Sequence, residues 1–209
     1  MLPLQIQKRL ASPGKLENEF LTFLRKANAP IDQSKTIAYQ VLYDTKKTSG
    51  ESTVELFTGE FNQELTNIEG SFIRPASEHF LIYGIRGYFA ENVPDPLLAG
   101  AIGLRRGFTN TENFVNGTTP PLMNSQMSIQ INSVRLNKYI PLSEFDNSET
   151  AGATRGTMFL DQPLLWQGQT ELKLTVETND PSVNFDSASA VPIGTAQYIR
   201  FDLFGLGLI

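Results

Sequence analysis

The residues whose spacing best suits chemistry are the carboxylates of Glu144-Phe-Asp146-Asn-Ser-Glu149. Glu-x-Asp-x-x-Glu is the spacing of one large group of β-sandwich glycosidases. On a strand with a bulge it sets the acids on one face, and a retaining enzyme needs its acid and nucleophile about 5 Å apart. Such an enzyme would have Glu144 and Glu149 facing one cleft. Those glycosidases interleave the acids with apolar residues that pin the strand. Here Asn147 and Ser148 fill those places and Thr150-Ala-Gly152 follows, so the stretch reads as a solvated loop. Nucleophilic catalysis would have to draw on His79, the only histidine, in Pro75-Ala-Ser-Glu-His79-Phe80. No Gly-x-Ser-x-Gly elbow accompanies it, and His79 reads as a loop or strand-edge residue.

Other chemistries fall away by residue type. The chain has no cysteine, which excludes disulfides, thiolate metal sites and cysteine nucleophiles, and a single imidazole excludes sites that need two. Gly205-Leu-Gly207 has no helix after it and cannot open a dinucleotide site. Asp180 and Asp186 are loop acids without a calcium-ligand spacing. Arg105-Arg106 and Lys46-Lys47 make no basic patch, and a net charge of -5 speaks against packaging nucleic acid. Trp166 is the one tryptophan beside 6 Tyr and 14 Phe, a balance that serves core and contacts rather than sugar stacking. The expectation is a protein without catalytic residues, cofactor or metal.

The elements that carry these residues are mostly strands. Hydrophobic residues make up 40% of the 209, enough for a real core, while charged residues make up only 19%. Asn, Gln, Ser and Thr total 57 against 39 charged residues, a surface that suits β-structure better than helices. One helix stands out over Lys15 to Lys26, where Leu16, Phe20, Phe23 and Leu24 follow i, i+4, i+7, i+8 spacing, with Arg25 and Lys26 late and Asn28 and Pro30 ending it. After Pro30 the period changes to two. Strands are predicted at 37–43, 53–60, 80–89, 127–136, 164–166, 172–176 and from Ile199 to the C-terminus. Gly84 and Gly87 predict a bend or bulge, and the parity slip from Ile131 to Val134 predicts another. Two long excursions, Val93 to Thr119 and Pro141 to Arg155, separate strands.

About eight strands with no helix between them mean antiparallel pairing in a sandwich or barrel. The organisation is an N-terminal arm with one helix (1–30) and a single β domain (31–209). The N-terminus lacks the pattern of a signal peptide, and the longest apolar run, Leu97 to Leu104, is far short of a bilayer span. Asn116-Gly117-Thr118 matches a glycosylation sequon but reads as a turn.

This order of elements resembles the single jelly-roll capsid proteins, major capsid or penton, of tailless icosahedral membrane-containing bacteriophages. Three stretches carry the likeness: Pro120 to Phe145, Gln162 to Thr178 with its Trp strand, Gly-Gln turn and alternating strand, and Tyr198 to Ile209. The resemblance implies an antiparallel jelly roll and a structural virion protein made in the host cytoplasm. It would assemble with copies of itself and other capsid proteins, next to an internal membrane, without sequence-specific nucleic-acid binding. Double-barrel shells need longer chains, and a strongly basic genome-binding arm is absent, since residues 1–30 balance at only +3. The helix either packs on its own domain or docks on a neighbouring subunit; the shell reading places Phe20, Phe23 and Leu24 in that subunit contact. Met1 to Ile6 and Leu97 to Leu104 are further apolar segments suited to contacts. A glycan- or receptor-binding β-sandwich module, and after it a glycosidase, are the alternatives.

Overall fold

The computed structural model describes residues 13–32, 34–48, 50–58, 65–68, 73–94, 112–113, 124–132, 134–145, 157–182, 185 and 195–208. Helix α1 (Pro13–Lys26) precedes strands β1 (Ile37–Lys47), β2 (Thr53–Leu56), β3 (Phe80–Pro94), β4 (Glu112–Asn113), β5 (Ser125–Ile131), β6 (Val134–Pro141), β7 (Thr157–Trp166), β8 (Leu172–Thr178) and β9 (Thr195–Leu208). A 3-10 turn, Leu142–Phe145, follows β6.

With the two-residue β4 set aside, the other eight strands pair first with last and inward from there. β1 pairs with β9, β2 with β8, β3 with β7 and β5 with β6, all antiparallel. This long hairpin is rolled so that β9 also meets β3 and β8 also meets β5. The result is two sheets, β1-β9-β3 with β7 and β4 along the far edge of β3, and β2-β8-β5-β6. That nesting is the jelly roll, as the order of predicted elements implied.

The core lies between the sheets. Alternate residues of β9 (Ile199, Phe201, Leu203) face Val176, Leu174 and Met127 of the opposite sheet, each at most 2% exposed. Trp166 is fully buried there and its indole N–H donates to the Thr170 carbonyl at 2.8 Å, across the β7–β8 turn that Gln167-Gly168 predicts. The register of β3 slips between Ile82 and Gly84, so the glycine does mark a bulge. The parity slip after Ile131 is not a second bulge: Ile131 pairs with Val134, so the chain reverses there into a hairpin. Asn132, at φ 55, takes the left-handed conformation that a two-residue reversal requires. β2 stops at Leu56, earlier than its apolar pattern implies, because Phe57 turns out of the strand at φ 62.

The larger sheet is apolar on its outer face too. Leu81 and Tyr83 of β3 and Leu206 and Leu208 of β9 point away from the core and meet Leu16, Phe20 and Leu24 of α1. The helix ends with Asn28 at φ 50, and the Ala29 N–H reaches back to the Leu24 carbonyl at 3.0 Å, a left-handed cap. Of the two placements expected for the helix, the structure shows the one on its own domain. Phe20 and Leu24 are 0% exposed on the chain's own sheet, and Phe23 packs at the edge of the same cluster. The apolar stripe is used within the molecule.

His79, just before β3, ties three segments together. Its Nδ1 accepts the Gly168 N–H at 3.0 Å and its Nε2 faces the Pro30 carbonyl at 2.7 Å, so the proton is assigned to Nε2. The Leu208 N–H donates to the His79 carbonyl at 3.1 Å. The histidine is 1% exposed and both ring nitrogens are occupied, which makes it a structural tie between β9, the segment after α1 and the β7–β8 turn. Gly168 allows that tie, because a Cβ there would fall onto the Pro75 carbonyl oxygen. Arg74, 7% exposed, lies 5.7 Å above both Phe80 and Trp166 and 3.6 Å from Glu78, which also pairs with Lys35 at 3.1 Å.

Phe20→Ala would leave a cavity between α1 and the sheet. Urea unfolding is expected to show a loss of about 3–5 kcal/mol; a loss within about 0.5 kcal/mol would mean that the helix does not cover the sheet.

Candidate functional site

The structure places the residues singled out above on separate parts of the molecule. Glu144 is exposed on the 3-10 turn, held outward by its neighbours Leu142 and Phe145, both 0% exposed. Phe145 anchors the turn through an edge contact with Phe201, ring centres 5.4 Å apart. Asp146 and Glu149 lie outside the described residues, as do Asp186, Arg105, Arg106, Asn116 and the apolar segments 1–6 and 97–104. Asp180 accepts the Ser182 N–H at 2.9 Å and its hydroxyl at 2.6 Å. These bonds hold its carboxyl below the usual range, and they make a local turn. Among the described residues no three His, Cys, Asp or Glu side chains group so as to hold a metal ion.

Among the described residues two groupings near the surface stand out. The first is the outer face of the larger sheet beyond the helix. Arg200 and Asp202 of β9 lie between Tyr43 of β1 and Arg86 and Tyr88 of β3, and all five are on one face by register. Arg200 Nε donates to Asp202 Oδ1 at 2.6 Å, and its guanidinium stacks 3.9 Å from the centre of the Tyr43 ring. Arg86 lies 4.9 Å over Phe204 and donates to Thr157 Oγ1 at 2.7 Å and Tyr88 Oη at 3.2 Å. Burial pushes the Asp202 carboxyl up, opposed by Arg200 and Arg86. The same burial raises Tyr88 and pushes Tyr39 up to about 12. Two arginines and one aspartate thus satisfy one another over an aromatic floor.

The second surface is β6, the edge of the smaller sheet. Val134, Leu136 and Tyr139 are 60%, 40% and 51% exposed, which leaves apolar area in water on a strand that is the edge among the described residues. The register of β6 on β5 shifts twice, so the edge is bulged and presents side chains rather than a flat row of backbone groups. The alternation of Val134 and Leu136 signals this strand, but exposure is not written in a period of two.

Inside the barrel, Asp44 was not singled out by the sequence. It sits on the inward parity of β1, 1% exposed, and accepts the Phe57 N–H at 2.7 Å. That bond holds Phe57 in its left-handed conformation where β2 ends. Lys46 Nζ lies 3.9 Å away and donates to the Thr58 carbonyl at 2.6 Å. Burial pushes the Asp44 carboxyl up from 3.8 to about 6, against the pull of Lys46 and of the Phe57 N–H.

An acid held above its unfolded value binds its proton more tightly in the native state. Asp44 therefore makes the fold more stable as pH falls from about 6 to 3.8 and less stable as pH rises through the same window, by about 3 kcal/mol in all. Asp44→Asn keeps an acceptor for Phe57 without the buried charge. Denaturant unfolding at neutral pH is expected to show the variant more stable than the native chain, with that part of the pH dependence gone. A variant less stable at neutral pH would mean that the Lys46 pairing outweighs desolvation.

No family model matches the chain, and no curated protein matches it in sequence.

Proposed function

We propose that this protein is a structural subunit of a virion, a single jelly-roll capsid protein that assembles with its own copies into an icosahedral shell. The observation that carries the reading is the nested pairing of eight strands into two opposed sheets. This architecture keeps its loops at the two ends of the barrel and its sheet edges at the sides, where neighbours meet. The exposed apolar side chains of β6 support it. On a lone molecule Val134 and Leu136 cost solvation, whereas a subunit contact removes them from water. The low charge content supports it as well, since charges are depleted from the centres of interfaces. With the α1 stripe committed to its own sheet, the contact surface moves from the arm to the β6 edge.

In this reading the partners are further copies of the chain and other capsid proteins, and the place of action is the virion, beside an internal membrane. No helix among the described residues is long and apolar enough to cross a bilayer.

Light scattering of the purified chain is expected to give a particle mass that grows with concentration beyond that of one subunit. Val134→Asp with Leu136→Asp should lower that mass to the monomer value while leaving the unfolding midpoint in place, because both side chains are already in water. A native chain that stays monomeric at every concentration would overturn the assignment.

A further inference from the structure

The solvent side of the smaller sheet carries a polar row at one end. Thr53 of β2 pairs with Glu177 of β8, and Glu177 pairs on its other side with Gln126 of β5. Their neighbours Val54, Val176 and Met127 point into the core, so by the two-residue period of a strand the row points outward. Gln126 Nε2 donates to Glu177 Oε1 at 3.2 Å. Ser52, Thr178 and Pro181 close the row on one side and Tyr139 on the other, forming a cleft of about 310 Å³. That volume is at the lower end for small-molecule sites, roughly 300–1,000 Å³.

Tyr139 adds an independent observation. It stands at φ 62 in β6, where the register between Met127–Ile140 and Ile129–Asn137 opposes two residues to one. Glycine takes that conformation without strain and tyrosine does not. The strained position carries a ring that is half exposed and lines the cleft. Backbone strain kept at a cleft is a mark of function.

The chemistry selects a class of ligand. The Gln126–Glu177 bond uses one amide hydrogen and one carboxylate oxygen. A second amide N–H, the amide oxygen and the second carboxylate oxygen remain in the pair's bonding capacity. Alternating donors and acceptors beside an aromatic face match adjacent hydroxyls on a ring whose C–H face is apolar. The Glu177 carboxylate repels phosphate, sulfate and sugar acids. We propose that this cleft binds one neutral monosaccharide unit, stacked on Tyr139 with its hydroxyls on Gln126 and Glu177. Among the described lining residues Glu177 is the one carboxylate, and its place in this site is to accept hydrogen bonds from sugar hydroxyls.

Saturation-transfer NMR on the full chain tests this with methyl β-glucoside, methyl β-galactoside and N-acetylglucosamine, and with N-acetylneuraminic acid as an anionic control. The signal is read on the sugar's own protons and is recorded on the native chain and on the Val134→Asp, Leu136→Asp chain, whose β6 edge stays open, so its failure and that of the shell reading are separable. At least one neutral sugar is expected to receive saturation and the anionic one none. Tyr139→Gly, which suits the left-handed backbone, and Gln126→Leu should each weaken binding about tenfold with the fold intact by circular dichroism. Absence of transfer to all three neutral sugars, or transfer undiminished in both variants, would overturn the proposal.

Discussion

The larger sheet is apolar on both faces and therefore needs two covers. β9 shows this most plainly. Ile199, Phe201 and Leu203 enter the space between the sheets, while Leu206 and Leu208 emerge on the other side. One cover is the opposite sheet and the other is α1, whose Leu16, Phe20 and Leu24 lie one helical turn apart on a single stripe. Gly205 fits the same constraint: a Cβ there would strike the Leu81 carbonyl, so the central strands come together only around a residue without a side chain. The smaller sheet has no such need. Its outward residues Thr53, Glu55, Thr175, Glu177 and Gln126 are polar, and among the described residues no helix lies above it. Among the described elements one face of the sandwich is thus closed by a helix and the other is polar.

Two buried aspartates meet the low dielectric in different ways. Asp202 lies on the outer face among Arg200, Arg86 and Tyr88, and the two guanidiniums oppose a desolvation that still raises its carboxyl. Asp44 lies inside with a backbone N–H and one lysine at 3.9 Å. Asp44 keeps its place because the Phe57 N–H, at the point where the chain leaves β2 for the next loop, needs an acceptor. The inner acid thus fixes a corner of the backbone, and the outer one joins three strands by charge.

Much of this was legible in the residues. Alternation located β1, β5, β8 and β9, Gly84 gave the bulge in β3, and Gln167-Gly168 gave the β7–β8 turn. Where reading failed, the cause is physical. A two-residue reversal and an inserted residue shift parity in the same way, so Ile131 to Val134 read as one strand with a bulge although it is a hairpin. The spacing of Leu16, Phe20 and Leu24 tells which side of α1 is apolar but not what covers it. The outer face of the chain's own sheet, which does so, is assembled from Ile37 and Tyr39, Leu81 and Tyr83, and Leu206 and Leu208 only when β9 inserts between β1 and β3. The cleft beside Tyr139 was invisible for the same reason: Ser52, Gln126, Tyr139 and Glu177 lie far apart along the chain and meet only through the strand order.

The last strand of the chain forms the middle of the larger sheet. Its pairing with β1 joins Leu208 to Ile37, nearly the whole length of the polypeptide. Contacts of such range must await loop closure, and they make folding slow compared with local helix or hairpin formation. During synthesis the edges of β1 and β3 that β9 will join therefore stay open until β9 has been made. The two faces of that sheet can close only after β9 has taken its place, so the order of strand addition, and not the strength of any one local contact, sets when the fold is complete.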